Sequence, residues 1–384
     1  MKKKLMEIIQ IMSQQNETME ATMYKQIPIC FDKASEKLDE INARYGFKII
    51  KTDKIRSSIF SEDGNLVGFS PLSSINIDKM FSPNGTLKEN NRVEEYIEGT
   101  MINVFYASSD NEWKVATKST VGGKNSFYMD GMKKQKSFKD MFEECCQENN
   151  LNLDELDKTL MYSFVMQHKE NRIINPVINN QLYLISTYKM YEGSNCVVLL
   201  MDYKIPSCDV KYPKVYDFTT RDEIVKNFAM PYTDYLIMGV NIFDTSSGER
   251  SKIRNPAYEE LKKLRGNQAK MEYHYLTLRK HKRVAEFLDF FPEYEETFKL
   301  YECKIMKFQT ELFDNFNDCY KNRSKPLGQY DKKYKNHMYA IHDTYLKTRE
   351  PTNIDTVESY LKTIPEAVLL SSINHEYRVQ KMEN

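Results

Sequence analysis

The chain has 384 residues, enough for two domains with substantial cores. Lys+Arg and Asp+Glu each number 55, so overall charge selects no class of partner and only local clusters can do so. With 29% charged and 41% hydrophobic residues and no apolar run long enough to cross a bilayer, the composition is that of a soluble globular protein and excludes a helical membrane protein.

At the N-terminus, Leu5, Ile8, Ile9 and Met12 share one helical face. Glu7 and Gln10 break the apolar stretch and no small-residue cleavage site follows, so this is expected to be an amphipathic helix and not a signal peptide. A second helix is expected from Asp32 to Tyr45, closed by Gly46. From Phe47 to about Lys252 short β-like runs dominate: 47–52, 65–70, 95–106, 113–118, 159–166, 181–190, 195–203 and 234–243. Ser-Glu-Asp-Gly (61–64), Ser-Pro-Asn-Gly (82–85) and Ser-Ser-Gly (246–248) supply turns, and helices interrupt at 136–149 and 220–229. After Asn255-Pro256 the pattern is almost wholly helical, broken near Pro292, Pro326-Leu-Gly328, Pro351 and Pro365. The expectation is an α+β protein with an N-terminal helical segment (1–46), a domain of mainly antiparallel sheets (47–260) and an all-helical C-terminal domain (261–384).

The seven cysteines (30, 145, 146, 196, 208, 303 and 319) form no CxxC pair, and an odd, unpatterned count suggests reduced thiols and a cytoplasmic protein. Six dispersed histidines, with His337 and His342 five residues apart, give no metal-ligand spacing, so no metal site is expected.

One order of motifs carries chemistry. Arg56-Ser-Ser-Ile-Phe60 leads into a hydrophobic strand. Ser70-Pro71 and Asp78-Lys79-Met80-Phe81 follow, then Tyr96-Ile97-Glu98-Gly99-Thr100-Met101. Trp113 to Ser119 carries Lys118, and Met161-Tyr-Ser163-Phe164-Val165 is followed by Asn171-Arg172-Ile173-Ile174. Ile237-Met238-Gly239-Val240 and Lys252-Ile253-Arg254, ahead of Asn255-Pro256 and Tyr258, complete the series. In order and spacing it resembles the phage-type RNA ligase family that repairs broken tRNA, within the covalent nucleotidyltransferase superfamily, over roughly residues 45–260. The resemblance implies a ligase-type adenylation domain. It places Arg56, Lys79, Tyr96, Glu98, Lys118, Phe164, Lys252 and Arg254 around a nucleotide and its phosphates.

Three positions depart from the family pattern. The nucleophilic lysine is Tyr96, the ribose-holding glutamate is Ser163 and the metal-supporting glutamate is Met238, a thioether unsuited to Mg²⁺. The retained residues are cations suited to phosphate. ATP and Mg²⁺ are therefore implied only if activity survives, and Lys118 and Lys252 are the candidates for a relocated nucleophile.

Downstream, Lys262, Lys263, Arg265, Lys270, Arg279, Lys280, Lys282 and Arg283 stand against the single acid Glu272, with Tyr273, His274 and Tyr275 among them. Lys321 to Lys335 holds six more cations against Asp331, beside Tyr320, Tyr330 and Tyr334. Basic runs interleaved with aromatics suit RNA; a solvated helix face or a protein partner of the helical domain are the alternatives.

Three functions stay open. The first is a binder of RNA ends or nucleotide without lysyl-nucleotidylate chemistry. The second is an active ATP-dependent RNA ligase or nucleotidyltransferase with a moved lysine, and the third a structural or scaffolding viral protein. The last follows because Ile97 to Asn103, with Arg254-Asn-Pro-x-Tyr258 and Leu264 to Gln268, is also similar to proteins of large cytoplasmic DNA viruses. That likeness implies the infected-cell cytoplasm or the virion.

Overall fold

The structure, a computed structural model, describes residues 24–30, 46–51, 54–125, 136–191 and 196–375. The helices expected over 1–23 and 32–45 fall outside these residues. Within the segment expected to be helical, Gln26–Cys30 is a strand instead, β1. Its alternation of Ile27 and Ile29, both buried, with polar or proline neighbours is a period of two.

Further strands are β2 (Phe47–Ile50), β3 (Ser58–Ser61), β4 (Leu66–Phe69), β5 (Asn91–Glu95), β6 (Thr100–Ala107) and β7 (Glu112–Ala116). After them come β8 (Leu160–Gln167), β9 (Gln181–Met190), β10 (Cys196–Leu200), β11 (Val215–Tyr216), β12 (Gly239–Asp244) and β13 (Arg250–Arg254). Two helices interrupt, α1 (Phe138–Glu148) and α2 (Arg221–Phe228), each opened by a capping box, Ser137 with Asp140 and Thr220 with Glu223. The expected strand 95–106 is two strands, because Tyr96 to Gly99 leaves one sheet and enters another.

The strands form three antiparallel sheets, ordered β1-β10-β9-β8-β6-β7, β11-β5-β12-β13 and β2-β3-β4. One face of the six-stranded sheet packs Tyr162, Phe164 and Leu182 against Phe138 and Phe142 of α1. Its other face packs Met161, Tyr188 and Leu199 against Ile49, Ile59 and Phe69 of the small sheet. The four-stranded sheet buries Val93, Val240, Ile242 and Ile253 against Met80, Phe81 and Ile224. Its opposite face, which carries Glu94, Asn241 and Lys252 in one cross-strand row, holds the polar residues described below.

Helices follow from Asn255: α3 (Pro256–Arg265), α4 (Met271–Lys280), α5 (Val284–Phe290), α6 (Glu295–Phe316), α7 (Lys332–Thr348), α8 (Ile354–Thr363) and α9 (Glu366–Ile373). The chain is thus α+β, antiparallel sheets followed by a helical region. The described chain divides after Arg265 into two compact units. In the second, Tyr275, Phe287, Phe298 and Tyr301 form an aromatic core. Among the described residues no helix is long and apolar enough to cross a membrane.

Cys145, Cys146, Cys208, Cys303 and Cys319 are free thiols. Cys196 is disulfide-bonded, so the expectation of wholly reduced cysteines is corrected there; its neighbour across the β1–β10 ladder is Cys30.

Gly239 begins β12 at φ +122°, where a Cβ would stand 2.2 Å from the Ile253 carbonyl oxygen on β13. Gly239→Ala is expected to cost about 2–4 kcal/mol by that backbone clash. Gly85→Ala, at φ +81° with nothing within 4 Å, is expected to cost only about 1 kcal/mol of conformational strain. Chemical denaturation of both variants checks the contrast, and equal losses would contradict it.

Candidate phosphate site

The site grows from one strand. Arg250, Lys252 and Arg254 alternate along β13, so their side chains leave one face of the sheet. Asn241 on β12 faces Lys252 on one side and Glu94 of β5 on the other. Tyr96 follows directly from β5. Its hydroxyl accepts a short hydrogen bond from Lys252 Nζ, which also stands 4.0 Å from the centre of the ring, a cation–π contact.

Arg250 is almost fully buried and donates from Nε to the Leu72 carbonyl at 2.6 Å and from Nη2 to the Pro71 carbonyl at 3.5 Å. The Pro71-Leu72 backbone thus supplies a clasp for an arginine. Arg56 is half-buried at the entry to β3, and its charge acts on Tyr96, Arg250 and Lys252. Arg254 is exposed and bidentate to Glu259, both bonds 3.0 Å. Glu94 pairs with Arg92, Nε to Oε1 at 2.8 Å, and Arg92 also reaches Asp202 at 2.9 Å.

These neighbours set the protonation of the cluster. Burial first, then the like charges of Arg250, Arg56, Arg254 and Lys262, push the Lys252 ammonium down from 10.5 to about 7. Burial raises the Tyr96 phenol against the pull of the same arginines, so it stays neutral. Burial also lowers Arg250 and raises Glu94, the latter against its partner Arg92.

Glu98 and Gly99 of the 96–101 stretch do structural work. Glu98 Oε1 accepts from the backbone N–H of Ile174 at 3.1 Å and of Asn175 at 3.0 Å. Gln167 Nε2 donates to the Glu98 carbonyl, and Asn171 donates to the Thr100 hydroxyl at 2.8 Å. Burial raises the Glu98 carboxyl while the backbone N–H groups and the neighbouring Tyr258 hydroxyl pull it back down; burial and then Glu98 push the Tyr258 phenol up. A Cβ at Gly99 would lie 2.5 Å from the Met166 carbonyl oxygen, so the strand crossing admits only glycine. The two motif stretches, 96–101 and 161–174, thus meet through backbone hydrogen bonds.

Where the family has a ribose-holding glutamate, Ser163 donates to Asn103 Oδ1 at 2.8 Å and Asn103 Nδ2 donates to Ser70 Oγ at 2.7 Å. All three side chains are buried, so this is a closed polar chain without charge. Phe164 leaves the opposite face of β8 and stacks in the core 5.8 Å from Phe142 and 6.3 Å from Tyr162. The structure does not bring it to the Tyr96–Lys252 cluster, since side chains alternate along a strand. Lys79 is exposed beside the Asp78–Arg221 ion pair, and Lys118 is exposed on the turn after the edge strand β7. No contact links either to the cluster among the described residues. Arg250 went unnoticed in the sequence, although its spacing of two from Lys252 was a readable signal.

A cavity of about 120 Å³ opens between the six- and four-stranded sheets, lined by Arg92, Glu94, Thr187, Tyr188, Asn241 and Arg250 among others. Thr187 Oγ1 and Asn241 Oδ1 are buried there without a hydrogen-bond partner. The donors present do not suit Mg²⁺. Met238 offers sulfur, Glu94 and Glu259 are paired with arginines, and Glu98 is bound by backbone N–H groups.

Of the downstream cations, Arg265 is buried, Lys263 pairs with Glu260 and Arg283 with Glu286, while Arg279 faces Glu358 and Lys280 faces Glu366. Lys262 is half-buried in the first unit, and Lys270 and Lys282 are exposed in the second. Of the aromatics among these runs, His274, Tyr275, Tyr330 and Tyr334 are buried in the core, Tyr273 is half-buried, and half-buried Tyr320 stacks 3.9 Å from His342.

No protein-family model matches the chain. It is 26% identical over 238 residues to the Immediate-early protein ICP-46 homolog of Invertebrate iridescent virus 3, across 59% of this chain and 49% of that protein. The chain therefore spans about half the length of this curated relative. Among solved structures it is similar to a Naegleria gruberi RNA ligase with ATP and Mn (13% identity, 52% of this chain and 61% of that one, TM-score 0.33). It is also similar to an archaeal ATP-dependent RNA ligase (12% identity, 83% and 76%, TM-score 0.33). Likenesses this distant assign no residue of the site.

The depressed lysine has a stability signature. Unfolded Lys252 holds its proton to about 10.5 and folded Lys252 only to about 7, so between these values the unfolded state binds more protons and stability rises with pH. In Lys252→Met that slope is expected to disappear, with the variant's relative advantage largest below about pH 7. Denaturation across this window checks it, and parallel stability curves for the two proteins would refute it.

Proposed function

We propose that the face of β13 and Tyr96 is a phosphate-binding site, holding a nucleotide phosphate or an RNA end in a nucleotidyltransferase-like sheet domain. The observation that carries this is the convergence of Arg56, Arg250, Lys252 and Arg254 on one neutral phenol, with the nearby carboxylates of Glu94, Glu98 and Glu259 already engaged. A lysine discharged by burial and then by cationic neighbours suits an incoming anion, and a bound phosphate restores its charge. Tyr96 carries no covalent step in this reading, because its phenol stays protonated. The motif order in the sequence supports a nucleotide or RNA over a simple anion. The cations of the helical region at 262–283 are largely paired with acids and add little to this reading.

Titration calorimetry with ATP and with inorganic tripolyphosphate tests the reading. At about pH 8, above the Lys252 value, binding is expected to take up a proton, seen as a heat that changes with the buffer's ionisation enthalpy. Arg56→Ala and Arg254→Ala are each expected to weaken binding about tenfold, the usual scale for one charge-assisted contact. Absent binding, or binding indifferent to both substitutions, would overturn the proposal.

A further inference from the structure

We propose that the outer stripe of α7, with the turn that stacks on it, is a docking seam for an acidic amphipathic helix of a partner protein. The spacing along α7 comes first. Tyr334, His337, Met338 and Ile341 turn into the core of the second unit. Lys335, Tyr339, His342 and Leu346 recur at steps of four, three and four, so they form a second stripe beside the buried one. That is the a/d pattern by which one helix takes another. Tyr339 is 66% exposed and Leu346 46%, so the stripe is not spent on this chain's own core. The π-helical turn Asn317–Lys321 at the end of α6 widens the seam. It lays Tyr320 flat on His342, ring centres 3.9 Å apart and planes at 8°.

Charge selects the partner. Lys321 donates to the Thr352 carbonyl at 3.3 Å, Lys325 stands 4.2 Å over the Tyr330 ring, and Lys335 donates to the Gly328 carbonyl at 2.6 Å. Among the described residues none of the three forms an ion pair with a carboxylate. The acids nearby are engaged elsewhere. Asp318 accepts from the Tyr330 hydroxyl at 2.8 Å, Asp331 caps α7 through the Lys333 N–H at 2.8 Å, and Asp343 pairs with Lys347 at 2.6 Å. The seam is thus apolar along its floor and basic at its border, the complement of a helix with leucines on one face and carboxylates beside them. Single-stranded RNA fits it less well, because it takes successive rings with open faces. Tyr320 and His342 each spend a face on the other, Tyr330 is buried beneath Lys325, and Tyr334 is buried 5.4 Å from Phe308. Leu346 offers a knob for a helix and no surface for a base.

Full-length protein is titrated into a fluorescein-labelled synthetic peptide of about three heptads, with leucine at a and d and glutamate at e and g, and binding is followed by anisotropy. A twin peptide with lysine at e and g is the control. The expected result is roughly micromolar binding of the acidic peptide, weakened by salt and at least about tenfold tighter than the twin. Tyr339→Ala and Leu346→Ala are each expected to weaken it about tenfold, and Lys332→Glu combined with Lys335→Glu to reverse the preference between the peptides. No binding, equal binding of the two peptides, or binding indifferent to these substitutions overturns the proposal. An oligouridylate that binds more tightly than the acidic peptide and depends on Tyr339 would make the seam an RNA surface. Light scattering that finds a dimer dispersed by Leu346→Ala would make the occupant a second copy of this chain. Either result also overturns it. The comparison of the two peptides on the unsubstituted protein decides the matter even if a variant fails to fold.

Discussion

Alternation along β13 is the constraint on which the site depends. A strand puts every second side chain on one face, so Arg250, Lys252 and Arg254 cannot avoid one another. Two of the three have their own arrangements: Arg250 its backbone carbonyls and Arg254 its carboxylate. Among the described residues Lys252 has only the hydroxyl and ring of Tyr96, neither of which carries a charge. The result is an imbalance the fold does not cancel internally. A nearly buried arginine beside a half-buried lysine, neither bonded to a carboxylate among the described residues, is unfavourable, and this is the ground for proposing an external anion there.

The retained acid and glycine of the motif tell a different story from the cations. Glu98 binds two consecutive backbone N–H groups of the loop at 174–175, and Gly99 lets the chain pass within contact of β8. Both help join β5 of the four-stranded sheet to β6 of the six-stranded one, whatever the protein binds. Likewise the Ser163–Asn103–Ser70 chain shows that the interior has settled around a neutral polar group and does not leave a vacancy awaiting a carboxylate.

Much of the fold was legible in the sequence. The strand 181–190, the helices bounded by Ser137 and Thr220, and the switch to helices at Asn255-Pro256 follow from periodicity, caps and proline placement. Asn255 makes that switch visible: its side chain takes the Ala257 N–H and gives hydrogen bonds to the Asp234 and Ile237 carbonyls. The strand at Gln26–Cys30 was missed because five residues pair only through tertiary context, and the break at Tyr96–Gly99 because a run of β-formers does not reveal a change of sheet. For the proposed site, motif order singled out Arg56, Tyr96, Lys252 and Arg254, which lie within electrostatic reach of one another in the structure. Phe164 was misplaced, since adjacency in sequence means opposite faces in a strand. The aromatics of the helical region were read as surface when their spacing equally fits a core.

The cluster also governs which residues position 96 can tolerate. An ammonium there would be a fifth cation among Arg56, Arg250, Lys252 and Arg254, in surroundings that already discharge one of them. A carboxylate would lock onto Lys252 and fill the place of any incoming anion. A neutral ring meets both conditions, giving the lysine a face to rest on and a hydroxyl to donate to. The surrounding arginines therefore disfavour a lysine at position 96, and the ring leaves the face open to an anion.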